Sequence, residues 1–434
     1  MTILAGQQVD QRARRPDVRP DDQRDLAGLL GRRLPGHALE APFYLSDEVF
    51  ALDVAAIFAR HWIFVATEPE VREPGDFVTV DLGPYSLIVV RDDEGRVRAL
   101  HNVCRHRGSR VLTEPRGCVG NLVCGYHQWT YGTDGALLHA GHQAPDFDPN
   151  RLGLKAVAVR VVHGLVFVCL ADQPPDDFDE VAARIDAYLA PHQLRRTRVA
   201  AQEDLVEEAN WKLVMENNRE CYHCETGHPE LTCTFFPTYG YTLEDLPDRL
   251  LPAHARYLRA EGELERVCDE RGIPYAAIEE IDTRPSAFRI QREALDGAGE
   301  SYTTDGSVAS RRLLGDLDTP RLGRLSLHHQ PSSWFHFLSD HAVTFAVLPL
   351  APDRTLVRTT WLVHEDAVEG VDYELDRLTE VWRQTNVQDR VLVARAQAGV
   401  ASPAYEPGPY APNEYQVDAF CTWYVDRLRE HLRT

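Results

Sequence analysis

Two short stretches constrain this chain more than anything else in it: Cys104-Arg105-His106 and, after a gap of 17 residues, Cys124-Gly125-Tyr126-His127. Each pairs one thiolate with one imidazole, and each follows a β segment. Thiolates are soft ligands suited to iron and sulfur, while neutral imidazoles in place of two thiolates leave less negative charge on the metal and raise its potential. The set fits a two-iron cluster with one Cys₂ iron and one His₂ iron. Structural zinc is the alternative on ligand types, but zinc fingers pair Cys with Cys and His with His along the chain. The order here alternates. Cys118 falls between the loops but off the pattern and reads as a plain thiol.

Period-2 and continuous apolar runs dominate residues 60–172. Ser86 to Arg91 and Arg96 to Leu100 flank the turn Asp92-Asp93-Glu94-Gly95 as a hairpin, and Gly164 to Leu170 reads as a buried strand. Pro174-Pro175-Asp176-Asp177 marks a linker, after which helical segments alternate with strands. The division is an arm over 1–40, a β-rich cluster domain over 41–175 and a second domain over 176–434. The predicted class is α+β, the second domain having an antiparallel sheet flanked by helices. In that domain Asn210 to Cys224 reads as a helix with an Asn cap, and Ala342 to Leu348 with Thr355 to Val363 as a hairpin. Val371 to Gln397 reads as a long amphipathic helix with Leu375, Leu378, Trp382, Thr385, Asp389, Leu392 and Ala396 on one face.

A second constellation lies in Glu216-Asn217-Asn218-Arg219-Glu220-Cys221-Tyr222-His223-Cys224-Glu225-Thr226-Gly227-His228-Pro229. Residues five apart differ by about 140° around a straight helix, so His223 and His228 converge only if the helix ends between them. Gly227 and Pro229 are suited to end it. Glu220, three before His223, is positioned to orient that imidazole. Iron that activates O₂ commonly takes two histidines and one carboxylate on one side. Asp389, on the apolar stripe of the long helix, is the candidate third ligand; a buried aspartate paired with an Arg is the other reading.

The runs Asn102 to Gly108, Cys124 to Tyr131, Glu220 to His228 and Thr385 to Asp389 resemble the Rieske non-haem iron oxygenases, the ring-hydroxylating oxygenase family. Gly125 stands where that family usually has Pro. The resemblance implies a [2Fe–2S] cluster on Cys104, His106, Cys124 and His127, and a mononuclear Fe(II) on His223, His228 and Asp389, with O₂ as co-substrate. It makes Glu220 the bridge carrying electrons from the cluster of one subunit to the iron of its neighbour in a homotrimer, fed by a separate flavin or ferredoxin-type reductase. Most members have Asp at that bridge. Glu220, together with Trp361 to His364, Asp366 to Tyr373 and Ala404 to Tyr410, points to the subgroup acting on quaternary amines. The implied reaction is N-demethylation of a betaine, glycine betaine to dimethylglycine plus formaldehyde. Stachydrine or carnitine is the alternative substrate, and an aromatic-ring dioxygenase α subunit the alternative enzyme.

A quaternary ammonium cannot donate hydrogen bonds and needs aromatic faces or carboxylates. Trp334-Phe335-His336-Phe337 and Tyr239-Gly240-Tyr241 supply rings in the second half, although core strands use such residues more often. The same holds for His328-His329 and Asp340-His341 as ligands. A net charge of −21 argues against nucleic acid or anionic membranes as partners. No run of about 18 apolar residues suggests a membrane span, the Arg/Asp-rich run Gln11 to Asp17 is not a secretory signal, and a cytoplasmic location is expected. Nine cysteines at irregular spacing read as metal ligands or free thiols.

Overall fold

The computed structural model describes residues 20–433 other than 239, 240, 242 and 245, with side chains from residue 26 onward. The run at 11–17 and the pair Tyr239-Gly240 therefore lie outside the described residues. Two seven-stranded antiparallel sheets carry the molecule. The first runs, in spatial order, through Ile63–Thr67, Leu165–Cys169, Ala156–Val162, Val97–His101, Tyr85–Arg91, Asp76–Leu82 and Arg116–Cys118. A small three-stranded sheet of Leu122–Val123, Thr130–Tyr131 and Leu137–His139 stands beside it.

The middle strand Tyr85–Arg91 shows how the alternation of a pleated strand builds two cores at once. Leu87 and Val89 join the large core shared with the C-terminal half, while Ile88 and Val90 face Cys104, Cys124, Trp129 and Tyr131. The hairpin around Asp92 to Gly95 forms as predicted, with Asp92 accepting from the backbone of Glu94 and Arg96.

The second sheet orders Thr197–Glu207, Arg354–His364, His341–Ala351, Ser333–Phe337, Arg324–His329, Phe288–Glu293 and Ile278–Glu280. The predicted hairpin is longer than its apolar run, closing at Pro352-Asp353 because Thr355 and Pro349 still pair. Helices Leu375–Val400, Leu251–Arg271 and Tyr415–Arg433 belong to this half, with Trp211–Asn218 leading into the histidine motif. That short helix is anchored by a fully buried cluster: Asp53 accepts from Tyr424 at 2.5 Å and from the Trp211 indole at 2.9 Å, and pairs with Lys212. Within the predicted arm, Leu26, Leu29 and Leu30 are buried and Arg33 pairs with Asp418 at 2.5 Å.

Three expectations need correcting. The helix from the Asn210 cap ends at Asn218 rather than Cys224, so Glu220 and His223 meet across a turn, not on a helical face. The long helix starts at Leu375 rather than Val371, because Asp372 accepts from Val368 and Gly370 takes a positive φ of 77° in the turn before it. Its buried stripe also drifts. Leu378, Trp382 and Thr385 are buried as predicted, but Val393 and Gln397 replace Leu392 and Ala396, since a straight helix departs from a seven-residue repeat by roughly 20° per heptad.

Candidate metal centres

The two Cys/His loops are built alike. In each, the cysteine N–H donates to a carbonyl five residues on, Ser109 or Trp129, at 2.8 Å. In each, the cysteine carbonyl accepts at 3.0 Å from the N–H four residues on, Gly108 or Gln128. That donor takes a positive φ in both, 75° at Gly108 and 59° at Gln128, which glycine adopts freely and a glutamine only where the turn demands it. Facing each other, the loops bury Cys104 and Cys124 and leave both histidines exposed, with the His106 and His127 rings 4.6 Å apart. His106 lies flat on Trp129 at 4.9 Å. Tyr131 brings its hydroxyl within 3.3 Å of Cys104 Sγ and accepts from the Arg105 N–H. Burial and the Cys104 thiol both push the Tyr131 phenol up, so it stays a donor. Two buried sulfurs and two outward imidazoles converging from symmetric loops fit a cluster with one thiolate-bound and one imidazole-bound iron. Cys118 is an exposed free thiol.

The second constellation comes together over a long sequence distance. His223 Nε2 and His228 Nε2 are 3.1 Å apart, and Asp389 Oδ1 lies 3.4 Å from the first and 3.0 Å from the second. Three donors bound to one ion at about 2.1 Å and at right angles would stand about 3.0 Å apart, so this triangle fits three ligands on one face of a metal. Asp389 pairs with no arginine among the described residues, which answers the other reading of its burial. Each imidazole is held by its remote nitrogen. His223 Nδ1 donates to Glu220 Oε1 at 2.5 Å and His228 Nδ1 to Gln388 Oε1 at 2.8 Å, while the Gln388 amide N–H donates to Glu230. Both Nε2 atoms therefore face Asp389, and they are the nitrogens that a bound metal would take as ligands. Burial disfavours charge on His223, but Asp389 and Glu220 outweigh it and raise its pKa to about 9: the site attracts a cation.

Sequence reasoning missed several features here. Cys221 and Cys224 are bridged rather than free, closing a small loop around His223. The other seven cysteines form no disulfide. Gln388 has no role assigned within the Thr385 to Asp389 run, although its place beside Asp389 is a usable signal. Glu207, buried at a strand end, has its pKa raised to about 8 by burial first and by Asp389 second.

A cavity of about 450 Å³ opens from the triangle, walled by Arg219, Arg289, Arg324, Phe235, His336 and Trp382 among others. Of the aromatic run, His336 reaches it and stacks on Trp382 at 4.5 Å, whereas Phe335 and Phe337 point to the opposite face of the sheet. His328 also lines it; its neighbour His329 packs on Phe167 and Phe178. Asp340 and His341 are buried against each other at 2.9 Å, away from the triangle. No helix among the described residues is long and apolar enough to cross a membrane.

Comparison with known proteins identifies the family of both halves of the chain. Residues 61–159 match the Rieske [2Fe-2S] domain, and residues 194–430 match the ring hydroxylating alpha subunit catalytic domain. The chain is 46% identical over 408 residues to the glycine betaine monooxygenase oxygenase subunit of Chromohalobacter salexigens, covering 94% of this chain and 89% of that one. It is 41% identical to the Pseudomonas aeruginosa PAO1 subunit of the same description, covering 94% and 92%. Among solved structures, a quaternary ammonium Rieske monooxygenase superposes with a TM-score of 0.67 at 20% identity, covering 93% of this chain and 98% of that one.

Proposed function

The chain belongs to the ring-hydroxylating oxygenase α-subunit family, with a Rieske [2Fe–2S] cluster and a mononuclear iron as its cofactors, and from that premise we propose that it N-demethylates glycine betaine to dimethylglycine and formaldehyde. The observation that carries the reading is the 3.0–3.4 Å triangle of His223, His228 and Asp389 at the foot of a cavity, in a chain nearly half identical to glycine betaine monooxygenase subunits.

In this reading Cys104, His106, Cys124 and His127 hold the cluster, and His223, His228 and Asp389 hold the iron. When bound, the iron would supply O₂ activation for the conversion of one N-methyl C–H to C–OH, two electrons and two protons reducing the second oxygen atom to water. The N-hydroxymethyl ammonium then loses its hydroxyl proton and formaldehyde, the C–N bonding pair returning to nitrogen to leave the tertiary amine. The protein's residues do the rest. Glu220 and Gln388 hold the two imidazoles in the tautomer that presents Nε2. The cavity walls exclude water and orient the substrate. Glu220, hydrogen-bonded to His223 Nδ1, would serve as the bridge between the iron site and the cluster of a neighbouring subunit. Two exposed histidines at the loop tips are suited to meet that residue on a second copy, which supports a head-to-tail homotrimer. A separate reductase would supply the electrons, and a cytoplasmic enzyme divided at about residues 40 and 175 completes the proposal.

Formaldehyde release from iron-replete protein with O₂ and a surrogate reductase tests it, across glycine betaine, stachydrine, carnitine and choline. Dimethylglycine formed in step with formaldehyde from glycine betaine is expected. Release only from another betaine would move the substrate, and silence across the panel with a reducible cluster would reject N-demethylation.

A further inference from the structure

Three arginines wall the cavity beside the histidine–aspartate triangle, and they are not equivalent. Arg289 donates to Glu279 at 2.6 Å, and Arg324 to Glu293 at 2.7 Å. Arg219 is 1% exposed and has only neutral amides: Nη1 donates to Asn218 Oδ1 at 2.6 Å and Nη2 to Gln330 Oε1 at 3.1 Å. Its Nε is buried with no acceptor, and no carboxylate pairs with it among the described residues. Burial, with Arg289 adding to it, pulls this guanidinium down to about 9. A cation kept out of water without a counter-ion is costly, and amide oxygens offset only part of that cost.

We infer that the missing counter-ion is the substrate's carboxylate, and that Arg219 is the residue that selects a betaine over a quaternary amine without an acid group. The inference rests on the N-demethylation reading above and adds an orientation to it. The cavity lining holds both the carboxylates Asp389 and Glu220, which bond the two imidazoles, and the guanidinium residue Arg219. A betaine is a zwitterion whose quaternary nitrogen carries the methyl groups to be oxidised. With its carboxylate on Arg219, the trimethylammonium group is left to the lining carboxylates beside the two imidazoles. The guanidinium suits this task because its planar fork has five N–H donors, of which the two amides engage two. Choline offers the same cation with a hydroxyl in place of the carboxylate and leaves Arg219 uncompensated.

The experiment uses the holoenzyme and two variants, each checked for the visible spectrum of the cluster, the iron content and the unfolding temperature. Arg219→Gln should raise KM for glycine betaine at least tenfold, change kcat much less, and cut the glycine betaine over choline preference in kcat/KM at least tenfold. Its unfolding temperature should not fall, because an uncompensated charge has gone. Gln330→Glu should also raise KM, by giving Arg219 an internal carboxylate that competes with the substrate, and should raise the unfolding temperature. Wild-type KM and preference in a properly loaded Arg219→Gln, or a loss confined to kcat in both variants, would overturn the assignment while leaving N-demethylation standing. Failure of the wild type to release formaldehyde from any betaine would overturn both together.

Discussion

The two candidate metal centres are made in opposite ways. The candidate cluster site uses two loops whose cysteines and histidines fall within 24 residues, each loop closed by its own backbone hydrogen bonds and both carried on one β scaffold. The candidate iron site takes two histidines from a broken helical segment and its aspartate from a helix some 160 residues later, and it depends on the packing that brings them together. Local closure makes a site that survives changes elsewhere. Long-range closure makes one that reports on the whole catalytic half.

The largest test of that contrast removes one ligand from each centre. Asp389→Ala should abolish mononuclear iron and lower turnover by roughly 1,000-fold or more, while leaving the cluster's visible spectrum intact. Cys124→Ser should erase the cluster spectrum and turnover yet leave iron bound near the wild-type level. Loss of both metals in either variant, measured by iron content and absorbance, would show that the two regions fold as one unit and would break the comparison. The large core shared by the two halves makes this a real risk: Val89 of the first sheet and Trp211 of the second half lie in the same cluster of buried residues.

A smaller effect is expected at Glu220, which belongs to neither ligand set. Glu220→Gln preserves size but weakens the hydrogen bond to His223 Nδ1, and it should keep both metals while slowing cluster-to-iron electron transfer about 10- to 100-fold. Single-turnover kinetics following cluster bleaching would show it, and unchanged kinetics would reject the bridging role. Gln388→Ala frees the His228 ring on the opposite side, and a loss of roughly tenfold in iron affinity is expected with cluster-to-iron transfer unaffected once iron is saturating. The pair separates a carboxylate that conducts from an amide that only positions.

How much could be read from the sequence follows the same divide. The Cys/His loops were legible because ligand spacing, turn residues and flanking strands all lie within one short stretch. The hairpin around Asp92 to Gly95 was legible for the same reason. Asp389 could be singled out only as a carboxylate on an apolar stripe, since nothing local says what a helix face will meet. The end of the helix at Asn218 was missed because Asn217, Asn218 and Arg219 do not break a helix on propensity alone. What ends it is the Glu220 carboxylate accepting from the backbone of Tyr222 and His223, with the bridge from Cys221 to Cys224 closing the turn. Arg219 was invisible as a candidate, because what distinguishes it is the lack of an acid partner in three dimensions, and composition with 67 acidic residues against 46 basic ones suggests the reverse.

The finest test lies inside the cluster region. Tyr131 stands 3.3 Å from Cys104 Sγ, and the phenol is kept protonated by burial and by the thiol beside it. A hydrogen bond to a ligand sulfur stabilises the more negative, reduced state, so its loss should lower the potential. Tyr131→Phe keeps the ring and removes only that donor and the acceptor for the Arg105 N–H. The cluster should assemble with an ordinary spectrum, its reduction potential should become more negative, and iron content should not change. The same substitution should reduce turnover only modestly, through a smaller driving force for reducing the cluster. A potential equal to the wild type, measured by redox titration, would mean that Tyr131 serves packing alone and that the local loops need no side chain beyond their ligands to set the cluster's chemistry.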